Sequence, residues 1–269
     1  MRYPAVAGRF YPNDRNSLIK EIEYCFKHRI GPGMPSGCRN ERKITSMIAP
    51  HAGYKASGMN AAYAYKELSE DGLPDIYVVI GPDHHGIPYD MAVCGEPYVT
   101  PLGTCKVNEE IIKELRKAMP DDVRSHRYEH SVEVQIPFIQ YIDPDPCVIP
   151  IIMSDQSQES AEYLSEAIEE ACDGHDHVVI ASSDLSHYVS KDQARSEAAD
   201  VIKNVCARNV KGLYDIISER RITTCGYGPM AVAMLTESSS SELLKYSDSS
   251  DPLGMSNEVV GYVSVAFRR

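Results

Sequence analysis

The chain has 269 residues, 43% apolar and 25% charged, with a formal net charge of −12. A chain of this length buries roughly three quarters of its unfolded surface in one large domain. The length also fits two small domains, but a single α/β domain of this size is common, and residues 1–269 are expected to form one unit. The acids are spread along the chain and repel phosphate backbones and anionic lipid, so neither nucleic acid nor a membrane is expected as a partner.

The opening MRYPAVAGRFYP has no signal-peptide core and no later run reaches membrane-spanning length, which predicts a cytoplasmic location. A helix is predicted over residues 13–28, capped by Asn13 or Asp14, with Leu18, Ile22 and Phe26 on one face. Residues 31–42, rich in Gly, Pro and charge, read as a loop. Short apolar β-type runs follow at 44–49, 76–80, 148–153 and 178–181, interspersed with helical patterns at 57–68, 108–118, 131–141 and 159–172. That alternation predicts an α/β sheet with helices on its faces. Residues 192–218 read as one or two helices and 229–236 as another. The segment 259–267 alternates like a strand, and no helix follows it. It is therefore free to pair antiparallel, which makes the sheet mixed. The serine-rich stretches 237–242 and 246–251 read as loops or frayed ends.

Three predicted strands end in polar residues: APHAGY at 49–54, GPDHHG at 81–86 and SSDLSH at 182–187. Ligands of open α/β sheets bind in the crevice outside the carboxyl ends of the strands, which gathers His51, His84, Asp184 and His187 there. Any one of these histidines is as readily a loop cap bonded to backbone, and it is their threefold recurrence that carries weight. Side chains alternate along an extended turn, so only one of His84 and His85 is expected to enter the crevice.

The segment TTCGYGP at 223–229 leads into a helix. A cysteine there gains thiolate character from the helix N-terminus, against the alternative of a buried inert thiol. In YEHSVEVQ at 128–135, Ser131 is a candidate helix cap and His130 a pocket residue, while Glu129 and Glu133 are either pocket residues or a solvated helix start. His28, His126, His175 and His177 sit among charged or turn residues and read as surface groups. The eight cysteines form no CxxC pair, and apart from Cys225 they read as reduced core thiols.

RYPAVAGRFYP, IAPHAGY, GPDHH, PLGTCKVN, EHSVEVQIPF, SSDLSHY and TTCGYGP, in that order, resemble the Memo-like family, which includes AmmeMemoRadiSam system protein B. The resemblance runs from the N-terminus nearly to the last strand. It implies the fold of class III extradiol dioxygenases, a central sheet flanked by helices, in which two histidines and a glutamate hold a non-haem Fe(II). Carried over by motif, the metal positions fall on His51, His84 and Cys225, with Asp184, His187 and His130 lining the same pocket. A thiolate in place of the carboxylate softens the donor set. That favours Cu(I), Zn or thiolate-tolerant iron over a hard open Fe(II) site, a departure from extradiol ring cleavage. Animal members are described as redox-linked metal binders and as binders of receptor-tail phosphopeptides.

The leading expectation is a metal-dependent redox enzyme with iron or copper on His51, His84 and Cys225. In it His187 or His130 serves as acid–base, Asp184 orients an imidazole, and a small molecule or peptide is the partner. A non-catalytic module capturing an anionic peptide or metabolite is the alternative. A hydrolase with Cys225 as nucleophile ranks third.

Overall fold

Runs of Val and Ile that alternate between two buried faces build the centre of the protein. The computed structural model describes residues 1–254 and 257–269. The first half contains α1 (Arg15–Lys27), β1 (Ile44–Ala49), α2 (Met59–Asp71), β2 (Ile76–Pro82), β3 (Met91–Val93), β4 (Val99–Thr100) and β5 (Gly103–Thr104). There follow α3 (Glu109–Leu115), α4 (Val123–His126), α5 (Ile136–Ile142), β6 (Val148–Met153), α6 (Gln158–Ala171) and β7 (His177–Ser182). The chain closes with α7 (Lys191–Cys206), α8 (Val210–Arg220), α9 (Tyr227–Leu235), β8 (Ser240–Asp248), α10 (Ser250–Leu253) and β9 (Gly261–Arg268).

Seven strands form one mixed sheet in the order β3-β6-β2-β7-β1-β9-β8. The four central strands β6, β2, β7 and β1 run parallel, and β3 and β9 pair antiparallel with their neighbours. Parallel strands covered on both sides need apolar residues at every position, and β2 and β6 are buried throughout. Tyr77 and Val79 turn into a core with Phe26 of α1, Tyr65 of α2 and Phe138 of α5. Ile76, Val78 and Ile80 turn the other way, toward Ile111 of α3, Leu164 of α6 and Val232 of α9. At α1, the Asp14 carboxylate accepts from the Ser17 amide at 2.9 Å, and Leu18, Ile22, Cys25 and Phe26 face inward. No helix among the described residues is long and apolar enough to cross a membrane.

Three local features differ from the sequence reading. Parts of the two stretches read as loops or frayed ends, 237–242 and 246–251, belong to β8 (Ser240–Asp248), paired antiparallel with β9 from Ser240–Arg268 to Asp248–Gly261. An edge strand has one neighbour and a partly wet surface, so its serines and charges are compatible with pairing. The entry to α2 is a wide π-type turn, Tyr54–Gly58, directly after the His51 loop. A Cβ on Gly58 would lie 2.5 Å from Cys25 Sγ, so glycine is what lets α1 and α2 approach there. His126, read as a surface group, is fully buried: its Nε2 is 3.0 Å from the carbonyl of Ala92 and its Nδ1 is 2.8 Å from the Tyr98 hydroxyl.

Candidate metal centre

The strand order β2-β7-β1 places three carboxyl ends side by side, level with one another: Ala49 pairs with Ser182, and Ile80 with Ala181. His51, His84 and Asp184 each lie two residues beyond one of these ends. Cys225 arrives on the loop that enters α9. One donor atom each from His51, His84 and Cys225 lies within 4.8 Å of the other two. His51 Nε2 is 3.3 Å from Cys225 Sγ. His130 completes the cluster, its ring centroid 4.5 Å from that of His84 and 5.4 Å from that of His51.

Each side chain is held by different chemistry. The main-chain N–H of His51 donates to Asp184 Oδ1 at 2.9 Å, and its Nδ1 meets the Ser182 hydroxyl at 2.9 Å. Full burial drives its pKa well below the usual histidine value, assisted by the neighbouring imidazoles His130 and His84. The ring is therefore neutral and able to ligate.

His84 is braced by Glu129. One carboxylate oxygen accepts from the His84 main chain at 2.7 Å. The other takes His84 Nδ1 at 3.0 Å and the amides of His130 and Ser131 at 2.8 Å each. Burial alone would neutralise Glu129, but the His84 bond and the His84 and His130 charges outweigh it and hold the carboxyl well below its usual range. Burial also disfavours the His84 cation, yet the bond and charge of Glu129 leave its pKa raised. A carboxylate on Nδ1 keeps that nitrogen protonated and leaves Nε2 as the donor, the arrangement common behind metal-bound imidazoles. With its oxygens so occupied, Glu129 is a brace and a poor ligand, although it also lies within 4.8 Å of His84 and His130 donor atoms. His84 keeps 30% of its side chain exposed and opens the site to solvent.

Cys225 does not carry the thiolate character expected of a helix entry. Burial, then the nearby Asp184 charge, push its thiol up. The amides at the α9 start are spent elsewhere, that of Gly226 on Ser183 Oγ and that of Gly228 on Gln156 Oε1. The Asp184 amide reaches the sulfur at 3.3 Å, too little to offset that burial. A Cβ on Gly226 would lie 2.6 Å from the Ser182 carbonyl oxygen, so glycine permits the close approach that brings Cys225 to the end of β7. Gln156 Nε2, 2.8 Å from the Cys225 carbonyl, braces this loop from the far side.

The remaining expected residues take definite places. The Asp184 carboxylate anchors the His51 main chain, where an imidazole partner was expected, and burial raises its pKa to about 6. His187 sits half-buried at the rim, its amide and Nδ1 both tied to Thr223, which leaves Nε2 uncommitted. His130 packs edge-on against Phe10 at 4.8 Å, and burial lowers its pKa to about 4. His85 turns outward toward Tyr128 while His84 turns in. Ser131 caps no helix; its hydroxyl donates to the Pro82 carbonyl at 3.0 Å. Glu133, like Glu129, is buried: it pairs with Arg2 and accepts from Tyr11 and the amides of Ala5 and Val6. The sequence leaves Glu129 undecided between pocket and solvated helix start, because the partner that makes it a brace, His84, lies 45 residues earlier on the loop after β2.

A family model described as Memo-like protein matches residues 2–266. The chain is 39% identical over 280 residues to a MEMO1 family protein of Methanopyrus kandleri, covering 100% of this chain and 99% of that one. It is 38% identical to a MEMO1 family protein of Metallosphaera sedula, covering 99% of each chain. Among solved structures, an uncharacterized protein from Escherichia coli K12 superposes with a TM-score of 0.50 at 12% identity, covering 84% of this chain and 100% of that one. That likeness is one of fold.

Proposed function

Since this chain belongs to the Memo-like family, we propose that it is a metal-dependent redox protein in which His51, His84 and Cys225 hold one iron or copper ion. The observation that carries the reading is the convergence of two imidazoles and a thiol within 4.8 Å, with His84 backed by a buried carboxylate. A donor set of two imidazole nitrogens and one sulfur suits copper, zinc and thiolate-tolerant iron. Bound there, the metal would supply one-electron chemistry at a position open to solvent beside His84. His187 and His130 are the proposed acid–base residues, and Asp184 fixes the loop that presents His51. The proposed setting is the cytoplasm, where Cys225 stays reduced.

The test is metal content. Protein purified anaerobically without a chelating tag is analysed by mass spectrometry beside His51→Ala, His84→Ala, Cys225→Ala and, as a control, Cys206→Ala. Near-stoichiometric iron or copper in the wild type and the control, lost from the three site variants, is the expected result. A wild type that stays metal-free after reconstitution overturns it and favours capture of an anionic peptide or metabolite by the same histidines. Equal metal in the Cys225 and Cys206 variants would remove Cys225 from the ligand set.

A further inference from the structure

The hydroxyl of Ser182, the last residue of β7, meets three groups. It lies 2.6 Å from the carbonyl oxygen of Ser131, 2.7 Å from Gln135 Nε2 and 2.9 Å from His51 Nδ1. A hydroxyl has one proton to give and two lone pairs to offer. A carbonyl only accepts, so the Ser182 proton goes to Ser131. Both other partners must then bring a hydrogen to the serine oxygen.

Gln135 is held the right way round to do so. Its Nε2 also faces the carbonyls of Pro50 at 3.0 Å and Ala49 at 3.3 Å, and its Oε1 accepts from the Tyr65 hydroxyl at 2.6 Å. Turning the amide over would set its oxygen against two carbonyls and its N–H₂ against a hydroxyl that has no other hydrogen-bond partner among the described residues. Tyr65, Gln135 and Ser182 are all completely buried, and His51 is 2% exposed. Unpaired donors and acceptors are costly in such a place, so the pattern of protons is set.

We infer that Tyr65, Gln135 and Ser182 form a buried relay that locks His51 as the Nδ1–H tautomer and so presents its Nε2 lone pair to the Cys225 side of the site. They are positioning residues, since none is among the candidate ligands. The value of the relay to the protein rests on the proposed metal reading, but the tautomer exists with or without metal. Imidazoles in water favour the opposite form, Nε2–H, which would turn a hydrogen toward the ligand position. His84 reaches the same orientation through the charge of Glu129, and His51 reaches it with neutral groups only.

The test uses metal-free, full-length protein labelled with ¹⁵N at histidine, read by long-range ¹H–¹⁵N correlation spectra that distinguish protonated from unprotonated ring nitrogens. The His51 signals are assigned by their loss in His51→Gln. Wild type is expected to show His51 protonated at Nδ1 with Nε2 bare. Ser182→Ala should shift His51 toward Nε2–H, Ser182→Thr should retain the wild-type pattern, and Tyr65→Phe should shift it less, in the same direction. A wild-type His51 protonated at Nε2, or one unmoved by Ser182→Ala, overturns the relay. Because the wild-type spectrum alone decides the tautomer, the proposal stays testable even if Ser182→Ala folds poorly.

A second arm titrates zinc(II) into wild type, Ser182→Ala and Ser182→Thr. A 10–100-fold weakening in Ser182→Ala, restored by Ser182→Thr, is expected of a group acting behind a ligand. Unweakened binding in Ser182→Ala despite a shifted tautomer overturns the positioning role. A wild type with the expected tautomer that binds neither zinc nor, on reconstitution, iron or copper leaves the relay standing and overturns the metal reading instead.

Discussion

Replacing Arg2 by methionine tests how the N-terminal segment is tied to the site. The guanidinium is 1% exposed and pairs with Glu133, itself fully buried. It also donates to the carbonyls of His126 at 2.9 Å, Tyr3 at 3.0 Å and Glu129, and lies 4.7 Å over the Tyr98 ring. Methionine keeps apolar bulk but removes the charge and every donor. Glu133 would still accept from Tyr11 at 2.6 Å, Ala5 at 2.7 Å and Val6 at 3.1 Å. Deleting one partner of a buried ion pair costs about 3–5 kcal/mol, and the surviving donors to Glu133 put Arg2→Met near the lower end. For a chain of this size a loss of about 3 kcal/mol lowers the melting temperature by roughly 6–12 °C. Urea unfolding of Arg2→Met, Glu133→Gln and the double variant forms a double-mutant cycle, in which the double variant should lose less than the two singles together. An Arg2→Met protein within about 1 kcal/mol of wild type, or strict additivity in the cycle, would refute the reasoning.

Other expectations follow from single contacts. Glu129→Gln replaces one accepting oxygen with an N–H₂ group facing donors, so metal affinity measured by chelator competition should fall 10–100-fold, and unchanged affinity would dismiss Glu129 as a brace. Burial lowers the His126 pKa to about 4, against an ordinary value of 6.5. The folded state thus favours the neutral ring: its contribution to stability is complete above pH 6.5 and is lost as the pH falls toward 4, by up to roughly 3 kcal/mol. His126→Asn should flatten that part of the stability–pH curve, and parallel curves for the two proteins would contradict the assignment. Gly226→Ala forces a methyl to 2.6 Å from the Ser182 carbonyl oxygen, and overpacking of this kind costs about 1–3 kcal/mol. Crystallography or metal titration of that variant should show Cys225 displaced; intact binding with wild-type stability would count against the close approach.

The sequence was most legible where burial is uniform. β1 and β6 have the bounds read from their apolar runs, and α1 differs only at its ends, because two covered faces or one amphipathic stripe leave a local signature. The polar strand ends were legible for a similar reason, since crevice residues of an α/β sheet follow directly on buried runs. What stayed hidden is set by distant partners. Nothing within EHSVE separates a solvated helix start from two buried carboxylates; the difference lies in Arg2, 131 residues before Glu133, and in the β2 loop that carries His84. His126 looked exposed among charged neighbours, yet its partners are Ala92 and Tyr98. Cys225 looked activated by its helix, but the amides that would stabilise a thiolate are bonded to Ser183 and Gln156. β8 was obscured because an edge strand carries serine and charge on its wet side.

The strand order has a consequence for how the protein is made. β1 and β2 follow one another among the strands of the sequence, but β7 lies between them, so the middle of the sheet cannot close until residues 177–182 are in hand. The contact between His51 and Cys225 then joins groups 174 residues apart. Closing so large a loop comes late in folding and slows it, because the entropy is lost before the non-local contact forms. A chain emerging from the ribosome thus carries two imidazoles for most of its synthesis before the sulfur exists. An ion that binds only the assembled site stabilises the finished fold by mass action, which would make loading the final step of maturation.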